Sequence, residues 1–240
     1  MLDKKYKYIF FDGLGTLFDY KENITDVYQN ILNEQLGSEI DTSALNSVMR
    51  LARESMPENI EGDYRGSLNW NEHYYMEICK RLELTEKDSK RCSKKLSKFA
   101  NSSKSYTAFS DATKTLKMLK SKEWSIGVIA NWSENLSKLI KDLGLSPSIG
   151  FASSSAELRC EKPQRAIFER TLFRAGASAD SCLYVSSDFE QNVSAALDSG
   201  LNAIWLNRGT NIENERLEGV QIINSLYDVL EVCELTTHDA

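Results

Sequence analysis

From about residue 125 to residue 206, short apolar runs alternate with amphipathic stretches, and this alternation constrains the fold more than any other feature of the chain. The run "SIGVIA" (Ser125 to Ala130) reads as a strand, and Leu136, Leu139, Ile140 and Leu143 then follow helical spacing up to Gly144. "IGFASS" is a second short strand, followed by a helix carrying Ile167, Phe168 and Leu172. "CLYVSS" (Cys182 to Ser187) is a third strand, Phe189 to Asp198 a helix that ends near Gly200, and "AIWL" a fourth strand. Such alternation predicts an α/β fold with a Rossmann-like, doubly wound parallel sheet. The run Lys7 to Phe11, aromatic and β-branched and stopped by Asp-Gly, is a further strand of the same sheet.

Between that first strand and the rest lies a stretch of different character. Ile24, Val27, Tyr28, Ile31 and Leu32 follow helical spacing from Asn23 to Gly37; Leu45, Val48, Met49 and Ala52 repeat the pattern, as do Trp70, Tyr74, Ile78 and Leu82. The span reads as all-helical, with no strand in it. Residues 19–97 are therefore expected to form an inserted helical cap, and residues 1–18 with 98–240 the core. At 240 residues the chain is long enough for a core with a smaller domain attached.

Several functions are disfavoured by composition. A net charge of -6 argues against nucleic-acid binding, since a phosphate backbone is usually met by a basic surface, and the local "KRCSKKLSK" reads as a solvated helix face. No stretch approaches the roughly 20 apolar residues needed to span a bilayer. The beginning MLDKKYKYIFF has no secretory layout, because its apolar run ends at Asp12, so a cytoplasmic location is expected. Cys79, Cys92, Cys160, Cys182 and Cys233 contain no Cys-x-x-Cys pair and read as reduced structural thiols.

In doubly wound sheets, ligands bind beyond the carboxyl ends of the strands, which directs attention to Asp12–Thr16, Ala130–Ser133 and Ser186–Asp188. The turn "GLGTLF" has Gly13 and Gly15 but Phe18 where a dinucleotide fingerprint needs its third glycine, and no Gly-Lys-Ser/Thr follows. A carboxylate at a strand end, beside a turn of outward-pointing N–H groups, suits a nucleophile that attacks an electrophile held in an anion pocket. Taken alone, this stretch leaves open whether Asp12 is a nucleophile or the cap of a turn.

Three more segments bear on that choice. Asn131 follows the strand Ser125 to Ala130; "CEKPQRAIFERTL" sets Lys162 before a proline suited to the first turn of a helix; and "LYVSSD" ends in Ser186, Ser187 and Asp188. With "FFDGLGTLFD", this series in this order resembles the haloacid dehalogenase superfamily of hydrolases, in the subgroup with a helical cap inserted after the first motif. The resemblance implies that Asp12 is a nucleophile and that Lys162 neutralises nucleophile and substrate anion. It also implies that Thr16, Asn131, Ser186 and Ser187 bind a small anionic substrate, in a monomer or homodimer. The expected activity is hydrolysis of a phosphate ester or acyl phosphate. Mg2+ would be held by Asp12, the Leu14 carbonyl and Asp188, with the last loop displaced by one residue.

The chain departs from the phosphatase pattern at three places. Leu14 replaces the second aspartate of Asp-x-Asp-Gly-Thr and cannot protonate a leaving group or activate water. Ala130 replaces a phosphate-binding Ser/Thr, and Gly-Asp-x-x-x-x-Asp reads Ser186-Ser187-Asp188-Phe189-Glu190-Gln191-Asn192. The 2-haloacid dehalogenases of the same superfamily also lack the second aspartate and need no metal; their Val-Ser-Ser-Asn is similar to "VSSD", and "WLNR" at Trp205 to Arg208 to their last core strand. Carbon-halogen hydrolysis is thus an alternative, and a catalytically silent binding or regulatory role another. Trp132 and Tyr74 are candidates for lining a pocket, although packing is the commoner role of aromatic residues. His73 reads as surface. Arg159 and Glu161 flank Lys162, and Arg53, Arg65 and Arg208 are candidate anion binders.

Overall fold

The computed structural model describes residues 6–209 and 220–235; the expected core range also takes in residues 1–5, 210–219 and 236–240, which lie outside the described residues. In chain order the elements begin with strands β1 (Tyr8–Phe11) and β2 (Phe18–Tyr20), then helices α1 (Ile24–Leu36) and α2 (Thr42–Ser55). Strands β3 (Asn59–Ile60) and β4 (Asp63–Tyr64) precede α3 (Leu68–Arg81) and α4 (Glu86–Ala100). Next come β5 (Tyr106–Ala108), α5 (Ser110–Ser121), β6 (Ser125–Ala130), α6 (Leu136–Asp142), β7 (Phe151–Ser154), α7 (Ser155–Leu158) and α8 (Arg165–Ala175). The described chain closes with β8 (Cys182–Ser186), α9 (Ser194–Asp198), β9 (Asn202–Leu206), β10 (Gln221–Ile223) and α10 (Asp228–Leu235).

Six strands form one sheet in the order β10-β9-β8-β1-β6-β7, and every neighbouring pair in it is parallel. The apolar run at β1 is continuous because this strand is central and covered on both faces, and its side chains divide between them. Ile9 and Phe11 join Leu116 and Leu119 of α5 on one side; Phe10 joins Ile167 and Phe168 of α8 on the other. Gly127 is required here, because a Cβ on it would lie 2.7 Å from the Phe10 ring. No helix among the described residues is long and apolar enough to cross a membrane, and all five cysteines are buried.

Helices α1 to α4 bury a separate cluster that includes Tyr28, Leu32, Leu45, Ile78 and Leu96. The helix starts are sealed as the sequence allows: Asn23, Asp41, Ser67 and Thr85 each accept a backbone N–H from the first turn that follows. This helical block meets the segment between α7 and α8 through polar contacts. Glu161 accepts from Arg53 at 3.0 Å and from Arg65 at 3.3 Å, and Arg159 donates to the Gly62 carbonyl and the Asn59 side chain.

The expectation of a strandless segment is corrected by one small ribbon inside it, and a second ribbon lies at its borders. Strands β3 and β4 pair antiparallel around Glu61 and Gly62, whose φ values of 51° and 90° belong to a tight left-handed hairpin turn. Two-residue strands are too short to show an alternating pattern. Likewise β2 pairs antiparallel with β5, closing the entry and exit of the helical block. Helix α8 starts at Arg165 rather than at Pro163, and the stretch read as a helix from Phe189 opens with a π-helical turn, Phe189–Val193.

Candidate active site

Strand β1 ends at Phe11, level with Val128 of β6 and Val185 of β8, so Asp12 emerges between two neighbouring strands at the carboxyl edge of the sheet. Its N–H still donates to the Val185 carbonyl at 2.9 Å, which fixes the direction of the turn. The residue is 6% exposed. Lys162, 4% exposed, places its Nζ 2.5 Å from Asp12 Oδ1 and also donates to the Ile129 carbonyl (3.2 Å) and the Tyr184 hydroxyl oxygen (3.1 Å). Three acceptors use the three ammonium protons, so the buried cation is paired and fully hydrogen-bonded. Burial holds the Tyr184 phenol well above its ordinary pKa, and the neighbouring Asp12 charge adds to this.

The other carboxylate oxygen, Asp12 Oδ2, accepts from Asn192 Nδ2 at 2.9 Å and from Ser186 Oγ at 3.4 Å. Asn192 was not among the residues singled out in the sequence. Its signal was its position, last of the seven residues Ser186 to Asn192; the π-helical turn carries it back over the strand end, which ordinary helical spacing does not foresee.

The remaining residues named from the sequence divide into several roles. Thr16 and Ser187 bind each other: the Thr16 hydroxyl donates to Ser187 Oγ at 3.2 Å and accepts the Ser187 N–H at 3.0 Å. Between them Gly15 adopts φ 76°, and a Cβ there would lie 2.8 Å from Ser187 Oγ, so glycine is needed on both counts. Asn131 pairs with the backbone of Lys162 in both directions, its Nδ2 donating to the carbonyl at 2.9 Å and its Oδ1 accepting the N–H at 2.8 Å. The side-chain amide thereby orients the lysine. Asp188 Oδ1 accepts the Gln191 N–H, and the residue lines the same cavity as Asp12. Arg53 and Arg65 meet at Glu161, whereas Arg208 grips Asp111 with both terminal nitrogens, away from Asp12.

A magnesium ion on Asp12 would want one or two carboxylates with oxygen ligands in near-octahedral array. The groups directed at Asp12 are instead three donors, Lys162, Asn192 and Ser186, and one of Asp188's oxygens is spent on the following turn. Among the described residues no group of three or more His, Cys, Asp or Glu side chains could hold a metal ion. This donor set does not fit magnesium at Asp12. The charge that balances the carboxylate is the ammonium of Lys162.

Two cavities meet at the site. One of about 240 Å³ is lined by Asp12, Leu14, Ala130, Lys162, Asp188 and Asn192. A second, of about 360 Å³, lies under the helical block and is walled by Tyr20, Tyr28, Tyr74, Tyr75, Tyr106 and Trp132. Leu14, Asn131 and Trp132 line both, and Leu14 is 37% exposed at the junction. Burial raises the phenol of Tyr74 to about 12 and raises Tyr20 and Tyr28 as well, and the charged side chains of the lining, Arg53 and Glu161, pair with each other.

A family model described as haloacid dehalogenase-like hydrolase matches residues 9–206. Among curated proteins, the glyceraldehyde 3-phosphate phosphatase of Methanothermobacter thermautotrophicus is 31% identical over 131 residues, which cover 52% of this chain and 58% of that protein. The chain spans about half the length of the curated relatives it matches. Among solved structures, a 2-haloacid dehalogenase from Pseudomonas syringae pv. Tomato DC3000 superposes with a TM-score of 0.71 at 20% identity, over 96% of this chain and 99% of that one. The HAD-hydrolase YfnB from Bacillus subtilis, bound to magnesium, gives 0.72 at 16% identity over 96% and 100%. At these identities the likeness is one of fold.

Proposed function

Because this chain belongs to the haloacid dehalogenase-like hydrolases, we propose that Asp12 is its nucleophile and that it hydrolyses a small anionic substrate through a covalent Asp12 intermediate. The observation that carries this reading is the buried Lys162–Asp12 pair at the strand end, open to a cavity large enough for a small anion. In the first step an Asp12 oxygen bonds to the electrophilic centre and the leaving group departs with its electron pair. The fixed charge of Lys162 offsets the negative charge of nucleophile and substrate. Water then cleaves the adduct and restores the carboxylate. Asp188, on the cavity wall, is the group we assign to orienting that water.

Leu14 restricts the leaving group. With no acid at this position, an alkoxide would depart unprotonated, at a high barrier; a more stable anion departs without help. An acyl phosphate or a phosphate ester of an acidic alcohol meets this condition. Carbon-halogen hydrolysis is the second reading, favoured by the balance of Asp12 by Lys162 and hydrogen-bond donors rather than by a cation-binding carboxylate set. Helices α1 to α4, within the proposed cap 19–97, would exclude water from the strand ends.

Purified protein and its Asp12→Asn variant should be given an aryl phosphate and a 2-haloacid in parallel, with magnesium and with a chelator. Phosphate or halide release by the parent protein, unaffected by chelator and absent from the variant, is expected. Equal turnover by the variant would remove Asp12 from the mechanism.

A further inference from the structure

Under the proposed function, on which this inference rests, we infer that the substrate is a monoaryl phosphate whose ring occupies the cavity beneath α1 to α4. Two independent observations converge on an aromatic ring attached to the reacting group. The first is chemical. By its match to the second aspartate of the first motif, and on the junction of the two cavities, Leu14 takes the place of the leaving group's proton donor, so the leaving group has to be stable as an anion. A phenol, with pKa about 10, leaves as a much weaker base than an alkanol.

The second observation is the form of the adjoining cavity. Three of its phenols spend their protons on the protein: Tyr28 donates to Tyr75, Tyr74 to the Met49 carbonyl and Tyr106 to the Ala100 carbonyl. The Trp132 indole N–H is likewise spent on Asn135. Polar side chains of the same wall donate inward as well, Asn71 to the Gly66 carbonyl and Asn101 to Ser97. A guest there meets ring surface, the exposed Leu14 side chain at the junction and, elsewhere in the lining, the Arg53–Glu161 ion pair. The six aromatic side chains of this lining suit an aromatic ring, which stacks on or packs edge-on to them. A volume of about 360 Å³ lies in the range of small-molecule sites, about 300–1,000 Å³.

The step balances without a further reactant. An Asp12 oxygen forms a bond to phosphorus, the P–O(aryl) bond breaks, and the aryloxide leaves with the electron pair and takes a proton from water. Water then attacks the aspartyl phosphate and releases inorganic phosphate.

Binding and turnover test the inference separately. Phenylphosphonate and ethylphosphonate carry the same charged group and cannot be hydrolysed, so their affinities, measured by calorimetry, compare the two bodies alone. Phenylphosphonate should bind about tenfold more tightly, and phenyl phosphate should exceed ethyl phosphate in kcat/KM by at least that factor. Tyr74→Ala should shrink both advantages and Tyr74→Phe should keep them, with thermal melts confirming that both variants fold. Leu14→Asp should raise kcat for ethyl phosphate relative to phenyl phosphate. Equal phosphonate affinities, or a preference that Tyr74→Ala leaves intact, would overturn the inference. Failure of the nucleophile reading looks different: turnover would persist in Asp12→Asn whatever the phosphonate result.

Discussion

Asn192 decides how the charge of Asp12 is handled. An amide at this position donates to the carboxylate, whereas a carboxylate there would oppose it with like charge unless a cation came between them. Replacing Asn192 by aspartate is therefore expected to suppress turnover in the presence of chelator and to make activity rise with added magnesium, while the parent protein shows the same initial rate in both conditions. A parent protein that loses activity on chelation would contradict the donor set described for this site. Asp12 and Lys162 were legible in the sequence because a strand end and a Lys-Pro segment are local patterns. Asn192 was not, because the turn that brings it back contains one more residue than an α-helical turn. Asn131 was legible as a site residue, but its bidirectional pairing with the Lys162 backbone depends on two segments 31 residues apart.

At the level of elements, Asp111 at the start of α5 joins three parts of the core. It accepts from Arg208 beyond β9, at 2.9 and 3.1 Å, and from the Ser225 hydroxyl (3.1 Å) and Leu226 N–H (3.0 Å) beyond β10. Arg208 also donates to the Thr16 carbonyl at 2.9 Å and lies 4.0 Å from the centre of the Phe109 ring, so the same guanidinium braces the turn after Asp12. Burial raises the Asp111 carboxyl, but the hydrogen bonds from Arg208, Leu226 and Ser225 outweigh it and hold the pKa below the ordinary value. A depressed carboxyl contributes stability above the unfolded pKa of about 3.9, and that contribution is lost as pH falls through the lower folded value. Asp111→Asn should cost about 2 kcal/mol at neutral pH in denaturant melts and flatten the fall in stability below about pH 4. Identical melts at every pH would remove Asp111 from this role. The sequence offered Arg208 as an anion binder, and the anion it meets is internal. Runs of four to six residues announced β1, β6, β7, β8 and β9, while β2 to β5 and β10, of two or three residues, are held by their partners rather than by pattern.

Over the whole molecule, the site depends on parts far apart in the chain. Asp12 comes from the first strand, its lysine from 150 residues later and Asn192 from 180 residues later, and the parallel sheet is what brings them together. The alternation of strands and helices made that sheet legible, and with it the strand ends where chemistry belongs. The aromatic cavity was not legible, because its walls come from the helical block and from the core, and only two of its rings, Tyr74 and Trp132, stood out as candidates. The central claim is that Asp12 becomes covalently linked to part of the substrate. Mixing excess protein with an aryl phosphate or 2-haloacid, quenching with acid within a single turnover and mapping peptide masses tests it directly. The peptide containing Asp12 is predicted to gain the mass of the transferred group transiently, in step with product release, and not in Asp12→Asn. Product formed while that peptide stays unmodified at every time point would contradict the account.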